Sequence, residues 1–583
     1  MNDVAKDRFD NQNGCCQLEE DSNHTFEVSS DDICKFGICD IGLIVEQELI
    51  ECHKQVLSEN SQYFKAMFES TMKEKSQKTI DLKCVSLNSF KVILDFCYSK
   101  PAPLLIDRDN IFDVTRIADM LNFSEVFSLC KNFLWSLVSQ NCFDVLMLAS
   151  TLFIKDLHNY CTAYVLWNFK TIKDNEDFVF LTKDELQNYL SDSRLNTVSE
   201  LPVYKSIITW INHDPGQRTK YFKELFSSCV HVGLMSSEEL EVLQESDLVK
   251  STPNILQTVE SAYVDQDSSA ANNDSTGGSK RPSHLRQIPQ ALLWVGGDKS
   301  KLCDKPSPHW NVMRWDATAK EYVKLDDMYP VTSPVEADMG YRVCSLGVEV
   351  YVLGGEAKLG SNKWQIQTWA YDLLKRKWIR KACLLQPRRH HAVCVLDNDI
   401  YVIGGFTKYR EITVSVHCYH SNNDSWTVCS DLIRPEFAAT AAALNNRVYL
   451  LKTLIIQCYN PSSNQWTIVT TDVPPAITPG FTVMSAITVG NSLIIQSGYN
   501  NKLYLYDPYA EDQDQAWTSL GCFKDVFGSC AELDGKIYCM GNDSNHMETY
   551  DIESQTFGIE MSVSCHLSRS FLVTVPFYEE TMT

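Results

Sequence analysis

The spacing of apolar residues changes character once along the chain. Residues 39–52 alternate like a strand pair, and the stretch after them carries Val56, Leu57, Tyr63, Phe64, Met67 and Phe68 at helical intervals. Helical periodicity continues through 109–121 and 123–138. It resumes in NCFDVLMLASTLF from Asn141 and SIITWINHDPGQRTKYFKELF from Ser206, each with a charged outer face. Residues 265–287, DQDSSAANNDSTGGSKRPSHLRQ, have no apolar period and are rich in Ser, Asn and Asp, which predicts a flexible connector. Beyond it the apolar runs shorten to strand length.

The strand half repeats. A Tyr or Trp is followed seven residues later by a second large aromatic in Trp315/Tyr322, Tyr371/Trp378, Tyr419/Trp426, Tyr459/Trp466 and Tyr550/Phe557, with a stretched copy at Tyr506/Trp517. The second members lie 40 to 56 residues apart. With strand-length segments, that period predicts propeller blades rather than helical repeats. A strand ending in two glycines precedes three of the pairs, at Gly296-Gly297, Gly354-Gly355 and Gly404-Gly405, and weaker copies (VYLLK, LIIQSG, IYCMG) precede the others. Paired glycines let backbones approach where a side chain would clash. The aromatic pairs would fill the gap between adjacent sheets. These units, covering 288–577, resemble kelch repeats, and six of them imply a six-bladed propeller. The first repeat lacks an opening strand, while SRSFLVTVPF at 568–577 is left over. That last strand is expected to complete blade 1 and close the ring.

With 583 residues, 44% hydrophobic and 22% charged, the chain can build several cores. Lys+Arg number 52 against 75 Asp+Glu, a net charge of -23, which argues against broad nucleic-acid binding. MNDVAKDRFDNQNG at the start lacks the apolar stretch of a signal peptide. No run of 18 apolar residues predicts a membrane span. A cytoplasmic location, compatible with some nuclear presence, is therefore expected, with the 22 cysteines reduced. No C-x-x-C or H-x-x-x-H spacing occurs, and His390 and His391 would point to opposite faces of a strand, so no metal and no cofactor is expected. Without a Gly-rich phosphate loop or a G-x-S-x-G elbow, no catalytic residue is expected either.

The N-terminal half resembles a BTB domain through Cys39-Asp40, His53-Lys54, Val56-Leu57, Ser61, Tyr63-Phe64, Met67-Phe68 and Tyr98. His53 reads as a fold histidine that satisfies backbone groups. The helical stretch after it resembles a BACK domain through Asn141-Cys142, Leu148-Ala149, Leu195, Glu200, Trp210, Arg218 and Leu225. The expected architecture is multidomain. A flexible N-terminus (1–30) precedes an α+β BTB domain (31–138), an all-α BACK domain (139–262), a linker (263–287) and an all-β six-bladed kelch propeller (288–577).

This order of domains resembles the BTB-BACK-kelch family, which implies a substrate receptor of a cullin-3 RING E3 ubiquitin ligase. The BTB domain would form a homodimer and hold the cullin, BACK would extend that grip, and the propeller would bind a protein substrate. The family's hydrophobic-x-Glu signature fits Met72-Lys73-Glu74, with Tyr63 and Ala66 contributing to the same groove. An actin- or cytoskeleton-binding scaffold is the alternative function. Charge is uneven around the ring: residues 290–430 hold 18 basic and 15 acidic residues, residues 431–583 hold 7 and 17. Lys299, Lys301, Lys358, Lys363, Lys408 and Arg410 follow the glycine pairs, while Arg342, Arg388, Arg389 and Arg434 precede a blade's first strand. An acidic degron is therefore expected to dock near blades 2 and 3 on Arg342, Arg388, Arg389, Tyr409, Arg410 and Arg434.

Overall fold

The computed structural model describes residues 38–69, 77–100, 102–271, 286–298, 309–316, 318–319, 321–330, 333, 339–408, 410–452, 455–470, 483–498, 501–510, 516–524, 528–541, 546–562 and 567–578. The chain divides after Cys161 into two units.

In the first unit, strand Ile41–Val45 runs antiparallel to Glu48–Cys52 and parallel to Thr79–Asp81. The turn of the expected strand pair is made by Glu46 and Gln47, with φ of 49° and 72°, the left-handed geometry of a two-residue hairpin. Helices Lys54–Asn60, Gln62–Glu69, Leu87–Tyr98, Ile111–Met120 and Ser124–Thr151 follow. By length and composition the last of these could cross a bilayer, yet half of that stretch is buried inside the protein. It also kinks at Asn141 (φ -130°, ψ 49°).

The residues that carry the BTB resemblance hold this fold together. The buried Tyr98 hydroxyl accepts the His53 backbone N–H at 2.9 Å and lies 3.0 Å from the ring Nδ1. Asp40 Oδ1 accepts the Lys54 N–H at 2.7 Å, at the start of the first helix. Ser61 Oγ donates to the Leu121 carbonyl at 2.6 Å and accepts the Phe64 N–H at 3.1 Å.

The second unit opens with helices that include Lys183–Ser191, Leu201–His213, Phe222–Cys229, Ser237–Glu245 and Pro253–Ala271. Trp210 donates its indole N–H to the Leu181 carbonyl at 2.8 Å, and the Arg218 guanidinium stacks 4.2 Å above its ring. The expected connector needs correction at both ends. Helix Pro253–Ala271 runs into it, and Arg286 is a fixed point. Arg286 Nε lies 2.6 Å from Glu200 Oε1 with both side chains almost wholly buried, and its other nitrogens donate to the carbonyls of Cys229 (2.7 Å) and Asp192 (3.0 Å). A buried guanidinium is tolerated only when its donors are matched in this way.

Six four-stranded antiparallel sheets follow. Their inner strands are Leu567–Pro576 for blade 1, then Arg342–Leu346, Ala392–Leu396, Thr440–Leu444, Val483–Val489 and Gly528–Leu533. The leftover C-terminal strand does pair with Gln290–Asp298, Val575 opposite Ala291, so the ring closes as expected. Side chains tie neighbouring inner strands together. Ser345 Oγ donates to the Thr574 carbonyl at 2.9 Å, Thr440 Oγ1 to that of Met484 at 3.1 Å, and Leu572 N–H donates to Ser529 Oγ at 2.9 Å. The six aromatic pairs face each other across the two outer strands with centroids 4.6 to 5.2 Å apart. In blades 2, 3 and 4 the tryptophan also donates to a carbonyl of the blade before it: Trp378 to Asp327 (2.8 Å), Trp426 to Ala382 (3.0 Å) and Trp466 to Ser430 (3.1 Å).

Candidate functional site

The glycine pairs of blades 2 and 3 are the docking points of the segments that lead into the next blade, whereas Gly296-Gly297 continues its strand, paired with Trp310 and Asn311. Gly355 N–H donates to the Arg388 carbonyl at 2.9 Å, and Gly405 N–H to that of Glu436 at 2.8 Å. A Cβ on Gly354 would stand 2.6 Å from the Arg388 oxygen, and one on Gly404 2.5 Å from the Glu436 oxygen. All four glycines have φ between 60° and 99°, a region that costs other residues energy.

The inner strands begin where the glycine strands end, because Arg342 pairs with Leu353 and Ala392 with Ile403. At this end of the ring axis lies a cavity of about 470 Å³ whose lining includes Met339, Arg342, His390, Met484, Ser529 and Phe571. Arg342 supplies its charge. The guanidinium sits 5.4 Å over the Phe571 ring and donates to the Tyr341 carbonyl at 3.3 Å. Among the described residues no carboxylate pairs with it. Burial lowers its pKa to about 10, so the half-buried guanidinium remains a cation at neutral pH.

The other sequence-predicted residues fall into three groups. Arg410 and Arg434 are exposed, as are Lys358, Lys363 and Lys408. The Arg434 backbone is held at both N–H and C=O by Gln457, each at 3.1 Å, which leaves its side chain to solvent. Arg388 and Arg389 form the second group and require correction, because neither presents its guanidinium to a ligand. Arg388 is wholly buried. Its Nη1 donates to the Gly404 and Ser415 carbonyls at 3.1 and 3.0 Å, and its Nη2 to Ser415 Oγ and the His417 ring, each at 3.0 Å. Burial lowers its pKa to about 10. Arg389 is buried against Glu356, 3.3 Å away, and stacks 4.9 Å from the Phe406 ring. The third group, Tyr409 with Lys299 and Lys301, lies outside the described residues.

His390 and His391 occupy different surroundings. His390 lines the cavity. His391 is fully buried, and burial, with Arg342 and Arg388 nearby, pushes its pKa well below the usual histidine value.

On the BTB helix Gln62–Glu69, Tyr63 and Ala66 are exposed one turn apart while Phe64 is buried, so the two share an outward face. Met72 and Glu74 lie outside the described residues. Met339, Met484 and Phe571 line the cavity yet were not singled out from the sequence. The available signal was register: Phe571 pairs with Val295, just before one glycine pair, as Arg342 pairs with Leu353, just before another.

Comparison with known proteins gives the same three parts. The BTB/POZ domain family matches residues 34–137, the BACK (BTB And C-terminal Kelch) family residues 142–245, and the kelch motif residues 387–433. Kelch-like protein 25 of Xenopus tropicalis is 28% identical over 404 residues, covering 67% of this chain and 65% of its own length. Kelch-like protein 25 of Homo sapiens is 28% identical over 372 residues (63% and 60%), and kelch-like protein 6 of Homo sapiens 24% over 422 residues (71% and 65%). The chain therefore spans 60% to 65% of the length of these relatives.

Proposed function

Since the chain belongs to the BTB-BACK-kelch family, we propose that it is a non-catalytic, homodimeric substrate adaptor of a cullin-3 ubiquitin ligase in the cytoplasm. The cullin would be gripped by the exposed face of Tyr63 and Ala66 together with Met72 and Glu74. Substrate would enter the axial mouth of the propeller.

The observation that supports the substrate half is Arg342, a cation at the wall of the axial cavity that pairs with no carboxylate among the described residues. Such a group is poised for an acidic side chain, because a carboxylate would supply a charge complementary to a half-buried guanidinium. Arg410 and Arg434 at the rim would steer the acidic segment inward. Two measurements test this reading. Met72→Ala with Glu74→Ala should abolish co-precipitation of cullin-3; full recovery would leave the cytoskeletal scaffold as the better reading. Arg342→Glu should abolish capture of an acidic peptide pool that the parent protein retains.

A further inference from the structure

Blade 3 carries a second cluster of donor atoms, away from the mouth. Its sheet runs Ala392–Leu396, Asp399–Ile403, Val416–His420 and Ser425–Cys429 from the axis outward. Asp399 is directly opposite His420 and Cys418 opposite Thr427. His420 Nδ1 lies 2.9 Å from Asp399 Oδ1 and 3.9 Å from Cys418 Sγ, and one donor atom from each of the three residues falls within 4.8 Å of the others.

We propose that Asp399, Cys418 and His420 form a binding site for a divalent cation of the zinc class, with the fourth coordination position open.

The spacings suit the ion. Zn–S of about 2.3 Å and Zn–N or Zn–O of about 2.0–2.1 Å put tetrahedral S···N edges near 3.6 Å and N···O edges near 3.3 Å. The observed 3.9 and 2.9 Å need shifts of a few tenths of an ångström. The mixed thiolate, imidazole and carboxylate set is one that borderline metals accept. The ring is also held from behind, since His420 Nε2 lies 2.9 Å from Thr427 Oγ1. A hydrogen bond on the far ring nitrogen is the usual orienting device for a ligating histidine. Access is graded: Cys418 is buried, while Asp399 and His420 are about a third exposed, at 31% and 32%. An ion would reach the carboxylate and imidazole from solvent and close on the thiolate. Binding releases the thiol proton and any Nδ1 proton to water and changes no oxidation state.

The neighbouring blades supply an internal comparison. The thiol recurs in blade 4 as Cys458, but Arg447 stands beside it and Asn460 replaces the histidine. Blade 2 has carboxylates at Glu349 and Asp372 but Ala370 in place of the thiol. Only blade 3 among these three combines the donors without a fixed cation.

The full-length protein, reduced and stripped of metal, is titrated with Co²⁺. The expected result is one equivalent bound with the visible bands of a tetrahedral site and a sulfur-to-cobalt charge-transfer band, all lost on adding Zn²⁺. Cys418→Ser should remove the charge-transfer band, and His420→Gln and Asp399→Asn should each weaken binding at least tenfold. A spectrum without tetrahedral bands overturns the proposal, as does a charge-transfer band that survives Cys418→Ser. A thiol count two below expectation that recovers in Cys429→Ser also overturns it, because Cys418 would then be held as a disulfide. If Cys418→Ser does not fold, the two surface variants decide, and unchanged affinity in both overturns the site.

Discussion

The segments that lead into blades 3 and 4 are copies of one another that use their side chains in opposite ways. Leu384-Leu385-Gln386-Pro387-Arg388-Arg389 aligns with Leu432-Ile433-Arg434-Pro435-Glu436-Phe437. The backbone confirms the alignment, because the carbonyls of Arg388 and Glu436 accept the equivalent glycine N–H groups. At the first of these positions Arg388 turns inward and satisfies carbonyls of blade 3, whereas Glu436 reaches Lys452 Nζ at 3.3 Å. Lys452 itself replaces the first glycine of the pair and lies 3.6 Å over the Phe437 ring. The segment leading into blade 4 therefore meets the glycine pair of blade 3 by close backbone approach and the equivalent end of blade 4 itself by an ion pair and a stacked cation. An arginine's role follows from its place in the repeat: Arg434, two positions earlier than Arg388 in register, is exposed.

The largest effect should come from the close approach. Gly404→Ala places a Cβ 2.5 Å from a backbone carbonyl in a positive-φ residue. A loss of about 4 kcal/mol is expected in denaturant unfolding. Lys452→Gly at the equivalent place removes an ion pair partly open to water and a stacked cation and should lose about 1 kcal/mol. Equal losses would mean that the two joints work alike after all.

Next in size is Arg388→Met, which keeps the aliphatic stem and removes the donors. It takes donors from the Gly404 carbonyl and the His417 ring inside the sheet, for an expected loss of about 3 kcal/mol. Glu436→Gln should cost under about 1 kcal/mol, because its ion pair is partly open to water.

The pH dependence sharpens the same contrast. Burial, with Arg388 beside it, depresses the His417 pKa to about 4, below an unfolded value of about 6.5. The unfolded chain then takes up the proton first as pH falls. Stability from this group is complete above about pH 6.5 and drains away toward pH 4, by at most about 3 kcal/mol. Blade 4 has Gln457 at that position. His417→Gln should flatten the slope of unfolding free energy between pH 4 and 6.5, and an unchanged slope would place the acid sensitivity elsewhere.

What the sequence showed and hid follows the same division. The seven-residue aromatic spacing was legible because facing residues on a tight hairpin are fixed by turn length, and it returned as five tilted ring pairs, with the stretched Tyr506/Trp517 as a sixth. Closure was legible as one strand too few at the start and one too many at the end. The anchoring of Arg286 was not, since its partner Glu200 lies 86 residues earlier and a polar segment gives no sign of being pinned at one residue. Nor was the inward turn of Arg388 and Arg389: a lead-in arginine looks the same on paper whether its donors meet carbonyls or water. The Asp399, Cys418 and His420 cluster escaped the search for metal spacings because its members sit on two strands joined by register, not by a short motif.

The smallest stability change separates the two classes of arginine most cleanly. Arg434→Glu alters an exposed side chain whose backbone is already held by Gln457. Its effect on unfolding should stay within about 0.5 kcal/mol. Its effect on binding should not be small, because reversing a rim charge changes the encounter with an acidic partner from attraction to repulsion. The association rate should fall severalfold at low salt and converge on the parent value as ionic strength rises. Arg388→Met would show the converse, with lost stability and an association rate per folded molecule that keeps its salt dependence. Matching salt slopes for Arg434→Glu and the parent would remove the rim from substrate recognition and leave Arg342 as the charge that the mouth offers.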